Sequence, residues 1–289
     1  MRHYACGKIG CTAVLFSLPP PSRFLHGKII GVCVKLWDGI RFKLNSVSNS
    51  RLWIILPTFF EIEGNTLEGV FRKRLTRFSA KVEVDGKIVE CFLPNPGRLS
   101  ELLFHGAKVV LKEVFASGRK TVYDIVGVYH GGVVVSVDSR LPNRLVYEAL
   151  KNGDLPEFAG YTEIKPEQRY GCAKFDFLLE GFGLKPCLLE IKSCTLVRDG
   201  VAMFPDAPTE RGTRHVLELA KALRDGYRAT VLFVVQRGDA HMFKPNDDLD
   251  PKFGRALRIA AKDGVEVYAY TASFTGRRLV LGGKIGVVL

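Results

Sequence analysis

Three charged residues inside strand-like apolar runs constrain this sequence more than any other feature. Asp176 lies within the apolar run of residues 175–179. Glu190 and Lys192 directly follow a second apolar run, residues 187–189. Burying a charge costs free energy unless hydrogen bonds, an opposite charge or a metal compensate it. The sequence therefore predicts that these three side chains lie together, either at a functional site or in a buried ion-pair network.

The two apolar runs have the pattern of a β-hairpin. A glycine-rich turn, residues 181–183, separates them, as expected between paired strands. Alternation along the second strand puts Glu190 and Lys192 on one face and Ile191 on the other. Two acids and a lysine on adjacent strands supply the groups needed to hold a divalent metal beside a water and a phosphate. This set indicates metal-dependent cleavage of phosphodiester bonds.

The Glu-x-Lys spacing alone is a weak indication, because chance gives about one such tripeptide in a chain of this length. A second copy is present, Glu163-Ile164-Lys165. It runs straight into Pro166, and its nearest upstream aspartate, Asp154, falls in a polar turn. The copy at residues 190–192 is therefore the better candidate.

Composition limits the classes of protein that fit. The 289 residues suffice for one large domain or two ordinary ones, and an apolar fraction of 47% is that of a globular chain. No run approaches the roughly 20 apolar residues of a membrane span, so no membrane association is expected. The net charge of +12 favours nucleic acid or another anionic surface as partner. The seven cysteines lack the paired spacing of a zinc site and fit a cytoplasmic protein.

Residues 1–66 differ from the rest of the chain. Before Glu61 there are one acidic residue, Asp38, and eight Lys or Arg, with little sustained periodicity. No amphipathic pattern supports a transit peptide, and the apolar run at residues 12–18 is short for a signal peptide. We expect a poorly ordered appended segment, for example from translation begun upstream of the true start, in preference to a functional arm.

Residues 67–140 are expected to form an OB-like β-barrel. Strand-like segments recur at residues 70–84, 87–93, 108–115, 123–129 and 133–137, with turn signals between them. Barrels of about this size often bind single-stranded nucleic acid. Phe71 and Phe78 either stack on bases or fill the barrel. The predicted nucleic-acid-binding surface is a basic stripe at its start: Arg72, Lys73, Arg74 and Arg77.

Residues 141–289 alternate helices with strands and predict a mixed α/β domain. Thr209 is a plausible N-cap of a helix with apolar residues at helical spacing. Residues 229–235 are continuously apolar, as expected of a strand buried on both faces. Further helices are predicted at residues 143–151 and 251–262, and further strands at 161–168, 174–179, 187–193 and 265–270.

Five sequence motifs together resemble one protein family. They are residues 94–99 (Pro-Asn-Pro-Gly-Arg-Leu), residues 143–145 (Asn-Arg-Leu), Tyr170-Gly171 leading to Phe175-Asp176-Phe177, residues 190–193 (Glu-Ile-Lys-Ser), and the long, specific stretch of residues 204–212 with His215. On these motifs, residues 67–289 resemble the SfsA family, named for sugar fermentation stimulation. The second part resembles the PD-(D/E)xK nuclease fold. Pro96 and Lys174 depart from residues common in the family, but neither change touches the acids.

The resemblance implies a mixed α+β protein in which an OB-like barrel (residues 67–140) precedes a PD-(D/E)xK nuclease-like α/β domain (residues 141–289). It implies that Asp176 and Glu190 hold Mg²⁺ or Mn²⁺, with the Ile191 carbonyl as a further ligand. Lys192 would orient the attacking water or neutralise charge on the phosphate. Glu148 matches a position where related nucleases supply another acid, although a solvated helix carboxylate fits equally.

Nucleic-acid contacts are also expected around the helix that follows Thr209. A helix N-terminus attracts phosphate, and arginine adds a bidentate charged fork. His215 is either a proton donor to the leaving oxygen or a hydrogen-bonded structural histidine. The candidates in this region and in the first motif are Arg98, Arg211, Arg214 and His215.

Two functions fit this sequence. The first is a metal-dependent nuclease acting on DNA or RNA. The second is a non-catalytic DNA-binding regulator of sugar utilisation genes, a role in which the resembled family has also been viewed. The intact set of two acids and a lysine favours the enzyme, because a protein that only binds needs no three charges buried together.

Overall fold

The computed structural model describes residues 57–289 and, before them, three strands: β1 (Cys33–Lys35), β2 (Arg41–Val47) and β3 (Arg51–Ile55). These strands pair antiparallel in the order β1–β2–β3. The chain divides into two units, Met1–Pro57 and Thr58–Leu289. The prediction that residues 1–66 are poorly ordered falls mostly on residues outside the described ones.

The second unit begins earlier than the sequence predicts. Strand β4 (Phe59–Glu61) pairs antiparallel with a strand that starts at Arg278, and Ile62 is only 2% exposed in the core. The assignment of residues 58–66 to the appended segment is therefore wrong. A strand of three residues is too short to show alternation, and nothing in the local sequence identifies so distant a partner.

Five strands form a closed barrel: β5 (Thr66–Thr76), β6 (Ser79–Val84), β7 (Lys87–Phe92), β8 (Lys108–Glu113) and β9 (Tyr123–His130). Their order around the barrel is β5–β6–β7–β9–β8, and β8 closes on β5. The predicted OB-like barrel is thus confirmed. Residues 70–84, predicted as one segment, form a hairpin instead, because β5 and β6 pair across a tight turn.

The second domain is built from three helices and a mixed set of strands. Strand β10 (Val133–Ser136) pairs with both β9 and a strand of this domain, so the sheet is continuous with the barrel. The other elements are α1 (Leu141–Asn152), a 3₁₀ helix (Pro156–Phe158), β11 (Glu163–Tyr170), β12 (Ala173–Glu180), β13 (Cys187–Cys194), β14 (Val197–Arg198), β15 (Val201–Phe204), α2 (Glu210–Arg224), β16 (Arg228–Val235), β17 (Met242–Pro245), α3 (Pro251–Asp263), β18 (Glu266–Phe274) and β19 (Arg278–Val287).

The central sheet runs in the order β11–β12–β13–β16–β18. Strands β11, β12 and β13 are antiparallel neighbours, whereas β13, β16 and β18 are parallel. Helix α1 packs on one face with Ile191 and Leu232, and helices α2 and α3 cover the other face with Leu188 and Val231. Strand β16 is buried on both faces, as its continuous apolar run predicts. The predicted mixed fold class is confirmed.

Helix α2 starts where the capping signal predicts. The Thr209 hydroxyl accepts a hydrogen bond from the Gly212 N–H at 3.0 Å, which satisfies one of the free donors of the first turn. This cap sets where the first turn of α2 begins, and therefore which of its side chains face the sheet. In the described part of the chain, none of the helices has the length and apolarity that a membrane span requires.

Candidate active site

The two acids meet where the β12–β13 hairpin stops pairing through its main chain. The ladder ends with Phe177 opposite Leu189, so Asp176 and Glu190 are the next residues in this register. Beyond that point the Ile191 N–H donates to the Asp176 carboxylate at 2.7 Å. A side-chain oxygen thus replaces the main-chain acceptor, and this bond orients Asp176 beside Glu190.

Glu190 is 4% exposed, and its two oxygens differ. Oε1 accepts hydrogen bonds from the Lys192 ammonium and from His215 Nδ1, the latter at 2.6 Å. Oε2 is also buried and has no hydrogen-bond partner among the described residues. A buried carboxylate oxygen without a partner is costly, so this atom is suited to a cation.

His215, on the second turn of α2, orients Glu190. Its Nε2 accepts from Arg211 Nε at 3.3 Å, which assigns the ring proton to Nδ1 and the donor role toward Glu190. The ring is 3% exposed. His215 is thus buried and hydrogen-bonded on both ring nitrogens, and its burial does not favour a direct contact with nucleic acid.

The environment separates the proton affinities of the two acids. Burial and the neighbouring charge of Glu190 raise the pKa of Asp176 to about 6. Burial opposes ionisation of Glu190 as well, but the hydrogen bond from His215 and the charge of Lys192 outweigh it and lower its pKa. Asn143, on α1, donates to Asp176 Oδ1 at 2.7 Å and favours its ionised form.

The two acids fit a divalent cation. Carboxylate oxygens are the ligands that hard cations prefer, and a cation would relieve the repulsion between Asp176 and Glu190. Within the described residues, no three His, Cys, Asp or Glu side chains come together as a complete ligand set. Glu148 lines the same cleft as Asp176, but its carboxylate lies 3.6 Å from the ammonium of Lys151.

Comparison with known proteins identifies the family. Residues 73–137 match the family described as SfsA N-terminal OB domain, and residues 140–278 match the Sugar fermentation stimulation protein RE domain. The chain belongs to the sugar fermentation stimulation protein (SfsA) family. The family predicted from the motifs is thereby confirmed.

Curated SfsA relatives match most of the chain. A sugar fermentation stimulation protein homolog of Alkaliphilus metalliredigens is 44% identical over 227 residues, which are 78% of this chain and 98% of the relative. The homolog of Moorella thermoacetica is 47% identical over 211 residues, 73% of this chain and 91% of the relative. A solved structure, Pyrococcus furiosus SfsA in complex with Ca²⁺, is 30% identical with a TM-score of 0.74 and covers 81% of this chain and 100% of its own.

The long SfsA motif, residues 204–212, joins the two domains. The Asp206 carboxylate accepts from the Leu99 N–H of the barrel loop at 3.3 Å. A Cβ at Gly97 would lie 2.2 Å from Asp206 Oδ2, so only glycine allows this approach. Burial raises the pKa of Asp206. Asp206 thus holds the barrel loop through this hydrogen bond.

The predicted arginines of α2 lie on different sides of the helix. Arg211 is exposed and lines the cleft of Asp176, a cavity of about 550 Å³. Arg214 lines a separate groove between α2 and α3. The structure therefore brings Arg211, but not Arg214, to the cleft of the two acids.

The basic stripe of the barrel divides into paired and free side chains. Arg72 donates to Glu83, from Nε at 3.0 Å. The Arg74 guanidinium donates to five main-chain carbonyls and anchors the barrel loop; they belong to Thr76, Arg77, Asn95, Gly97 and Arg98. Lys73, Arg77 and Arg98 are exposed. Of the predicted surface, Arg74 therefore has a structural role and the exposed residues remain candidates for nucleic-acid contact.

Several residues of the cleft were not among the predicted site residues, and two of them are Asn143 and Phe60. Asn143 donates a hydrogen bond to Asp176. In the sequence, its place in the Asn-Arg-Leu motif of the family is what could have identified it. Phe60 lines the cleft from β4, which the sequence assigned to the appended segment. No local pattern marks Phe60, because only the pairing of β4 with β19 brings it to the site.

Proposed function

We propose that this SfsA family protein is a metal-dependent nuclease that cleaves phosphodiester bonds in DNA or RNA. The observation that carries the proposal is the half-buried Asp176 next to the buried Glu190, whose Oε2 is unpartnered, beside an open cleft that Arg211 lines. A positive net charge of +12 favours a polyanionic substrate. The four cysteines in residues 57–289 are free, which suits the cytoplasm as its compartment.

Asp176 and Glu190 are the proposed ligands of Mg²⁺ or Mn²⁺, with the Ile191 carbonyl and Glu148 as further candidates. A bound divalent metal would supply Lewis-acid polarisation of the phosphate and a water of lowered pKa. The Pyrococcus furiosus relative is described in complex with Ca²⁺, another divalent cation that prefers oxygen ligands. This description supports a divalent cation in the family, and the choice of Mg²⁺ or Mn²⁺ is our proposal.

The chain's own residues have separate roles in this proposal. Asn143 and His215 hold the two carboxylates in place through hydrogen bonds. Lys192 neutralises charge on the phosphate, and Arg211 binds a phosphate oxygen at the N-terminal end of α2. More distant phosphates are assigned to cations of the barrel and of α2: the exposed Lys73, Arg77, Arg98 and Arg214, and the half-buried Arg72, which also pairs with Glu83.

The test is an incubation of the purified protein with labelled single- and double-stranded DNA and RNA. Each substrate is offered with Mg²⁺, with Mn²⁺ and with EDTA. Cleavage is expected with at least one substrate and one metal, and none with EDTA. Products with EDTA equal to those with metal would contradict the metal-dependent mechanism, and intact substrates in every lane would reject the nuclease.

The second candidate is a non-catalytic DNA-binding regulator of sugar utilisation genes. One observation favours it: Glu190 Oε1 is already paired with Lys192 and His215, as in a structural ion-pair network. The partnerless Oε2 of the same carboxylate weighs against a closed network. In the experiment above, binding of DNA without any cleavage is the outcome that selects the regulator.

A further inference from the structure

Phe60 and Arg144 form a cation–π pair at the rim of the cleft. The Arg144 guanidinium carbon lies 5.3 Å from the centroid of the Phe60 ring. Arg144 is exposed, and its side chain makes no hydrogen bond or ion pair with any described residue. Both residues line the cleft of Asp176 and also a smaller cavity of about 170 Å³ beside the barrel. The pair thus stands where the two cavities adjoin.

We infer that Phe60 and Arg144 form a platform that stacks an unpaired nucleobase next to the candidate metal site, so that the preferred substrate is a single strand or an unpaired end. The inference rests on the proposed nuclease function and names its substrate class. Unpaired bases stack on aromatic rings and on arginine guanidinium planes, and each such contact contributes about 1–3 kcal/mol. A base inside a duplex is already stacked on its neighbours and is not available to the platform.

The other aromatic side chains that line the cleft, Tyr147, Phe175 and Phe177, already have aromatic partners. The Tyr147 ring stacks on Phe177 with centroids 6.0 Å apart, and the Lys151 ammonium lies 5.2 Å from its centroid. No other described aromatic ring stacks on Phe60. Phe60 is half-buried, packs against the core and lines both cavities. Among the described residues, Phe60 is therefore the cleft ring without an aromatic partner, and the Phe60–Arg144 pair is the surface on which a base can stack.

The smaller cavity allows a strand to continue toward the barrel. Its two buried acids, Asp124 and Asp138, are paired with arginines, Arg140 bonding to both. Arg119 also pairs with Asp124. These two carboxylates are neutralised. The third acid of the cavity, Glu63, is exposed, so water and salt screen its charge and it repels an entering phosphate only weakly. A strand lying over Phe60 would thus pass from the acids to the OB-like barrel.

The adjacent residue on the same strand is a matched control. Phe59 points to the other face of β4, is 42% exposed, and lines neither cavity. Phe59 also forms a cation–π pair, since the Arg278 guanidinium carbon lies 5.1 Å from its ring centroid. Phe59 and Phe60 thus have the same chemistry and differ in whether they face the cleft.

The experiment measures how strongly a base contributes to binding. Fluorescence anisotropy gives the Kd of a labelled single-stranded DNA and of an abasic oligonucleotide of the same length, both with EDTA so that binding is read without cleavage. Wild type should bind the base-bearing strand more tightly. Phe60→Leu should weaken that binding about 10-fold, corresponding to one lost stacking contact, and leave the abasic Kd unchanged. Phe59→Leu should change neither Kd, and Phe60→Tyr should keep the wild-type preference.

Exposed Arg144 provides a second variant that is independent of core packing. Arg144→Gln should reduce the preference for the base-bearing strand over the abasic strand, whereas Arg278→Gln should leave this preference as in wild type. Equal binding of both oligonucleotides by wild type, or an equal loss on both in Phe60→Leu, overturns the platform. A protein that prefers bases but cleaves nothing retains the platform and rejects the nuclease, so the two failures are distinguishable.

Discussion

The same tripeptide, Glu-Ile-Lys, occurs twice in the central sheet with opposite surroundings. In β11, Glu163 and Lys165 are exposed, and the Lys165 ammonium pairs with Glu180 and, at 3.3 Å, with Glu163. In β13, two strands away, Glu190 is buried and contacts a lysine and a histidine. Identical sequence thus yields a solvated charge cluster in one place and a candidate active site in the other.

Position in the sheet explains the difference. Strand β11 is an edge strand with one neighbour, β12, whereas β13 lies between β12 and β16 and is covered by helices on both faces. Water screens the charges of the edge copy, so their pairing contributes little. Burial strengthens each interaction of the central copy and makes each missing partner costly. The neighbours, and not the tripeptide, therefore determine the chemistry.

The largest expected difference between the copies is in catalysis. Glu190→Ala should lower metal-dependent cleavage about 1,000-fold or more, because a bound metal supplies several kcal/mol of transition-state stabilisation. Asp176→Ala should do the same, and Glu163→Ala at the edge should leave the rate unchanged. Initial rates on a labelled oligonucleotide with Mg²⁺ measure this. All three variants should still bind the oligonucleotide with EDTA, since cationic side chains supply most of the affinity. Undiminished cleavage by both central variants would rule out the site.

The next difference is in stability. Lys192→Met leaves the buried Glu190 carboxylate without its cation and should lower the free energy of unfolding by about 3 kcal/mol. This value is at the lower end of the range for broken buried ion pairs, because His215 still donates a hydrogen bond to Glu190. Lys165→Met removes an exposed partner and should leave stability almost unchanged. Urea unfolding followed by circular dichroism compares the two. Equal loss in both variants would contradict the contrast in burial.

Among the described residues, helices donate hydrogen bonds to the two acids of the central site, Asp176 and Glu190, and none to Glu163 of the edge copy. Asn143→Ala removes the bond to Asp176 and should raise the metal concentration for half-maximal cleavage by roughly 10- to 100-fold. Asn152→Ala, at the other end of α1, removes a bond to Thr58 and is the control. Metal titrations of the cleavage rate give both values. A shift of the same size in the control would show that α1 acts through packing alone.

The smallest expected effect concerns the pKa of Asp206. Burial raises this pKa, whereas the partners of Glu190 lower the pKa of that residue. Asp206 is half-buried, whereas Glu190 is buried. Asp206 accepts from main-chain N–H groups and interacts with Arg74 only through their charges, so burial has the largest effect and raises its pKa. A raised pKa in the folded state means that its contribution to stability is present below the usual value of about 3.9 and is lost as pH rises through the folded pKa. The stability of Asp206→Asn relative to wild type should therefore increase over that window. Urea unfolding at several pH values checks this, and a constant difference would contradict it.

The sequence predicted the acids of the site but not all of their partners. Alternation in the hairpin correctly put Glu190 and Lys192 on one face, because strand geometry is a local property. The contact of Glu190 with His215 spans 25 positions and depends on where α2 packs on the sheet. The role of Arg74 was missed as well, since its five carbonyl partners belong to a turn and a loop whose positions the pattern does not describe.

By itself, the sequence determined the local features of this SfsA protein: the hairpin of the two acids, the Thr209 cap and the strand buried on both faces. Each depends on the period or chemistry of a few neighbouring residues. Only the tertiary structure decided that β4 joins β19, a pairing in which Glu61 and Arg278 are 217 positions apart. That pairing brings Phe60 to the cleft. Local periodicity tells which face of a segment is apolar, whereas long-range pairing decides which segments that face will meet.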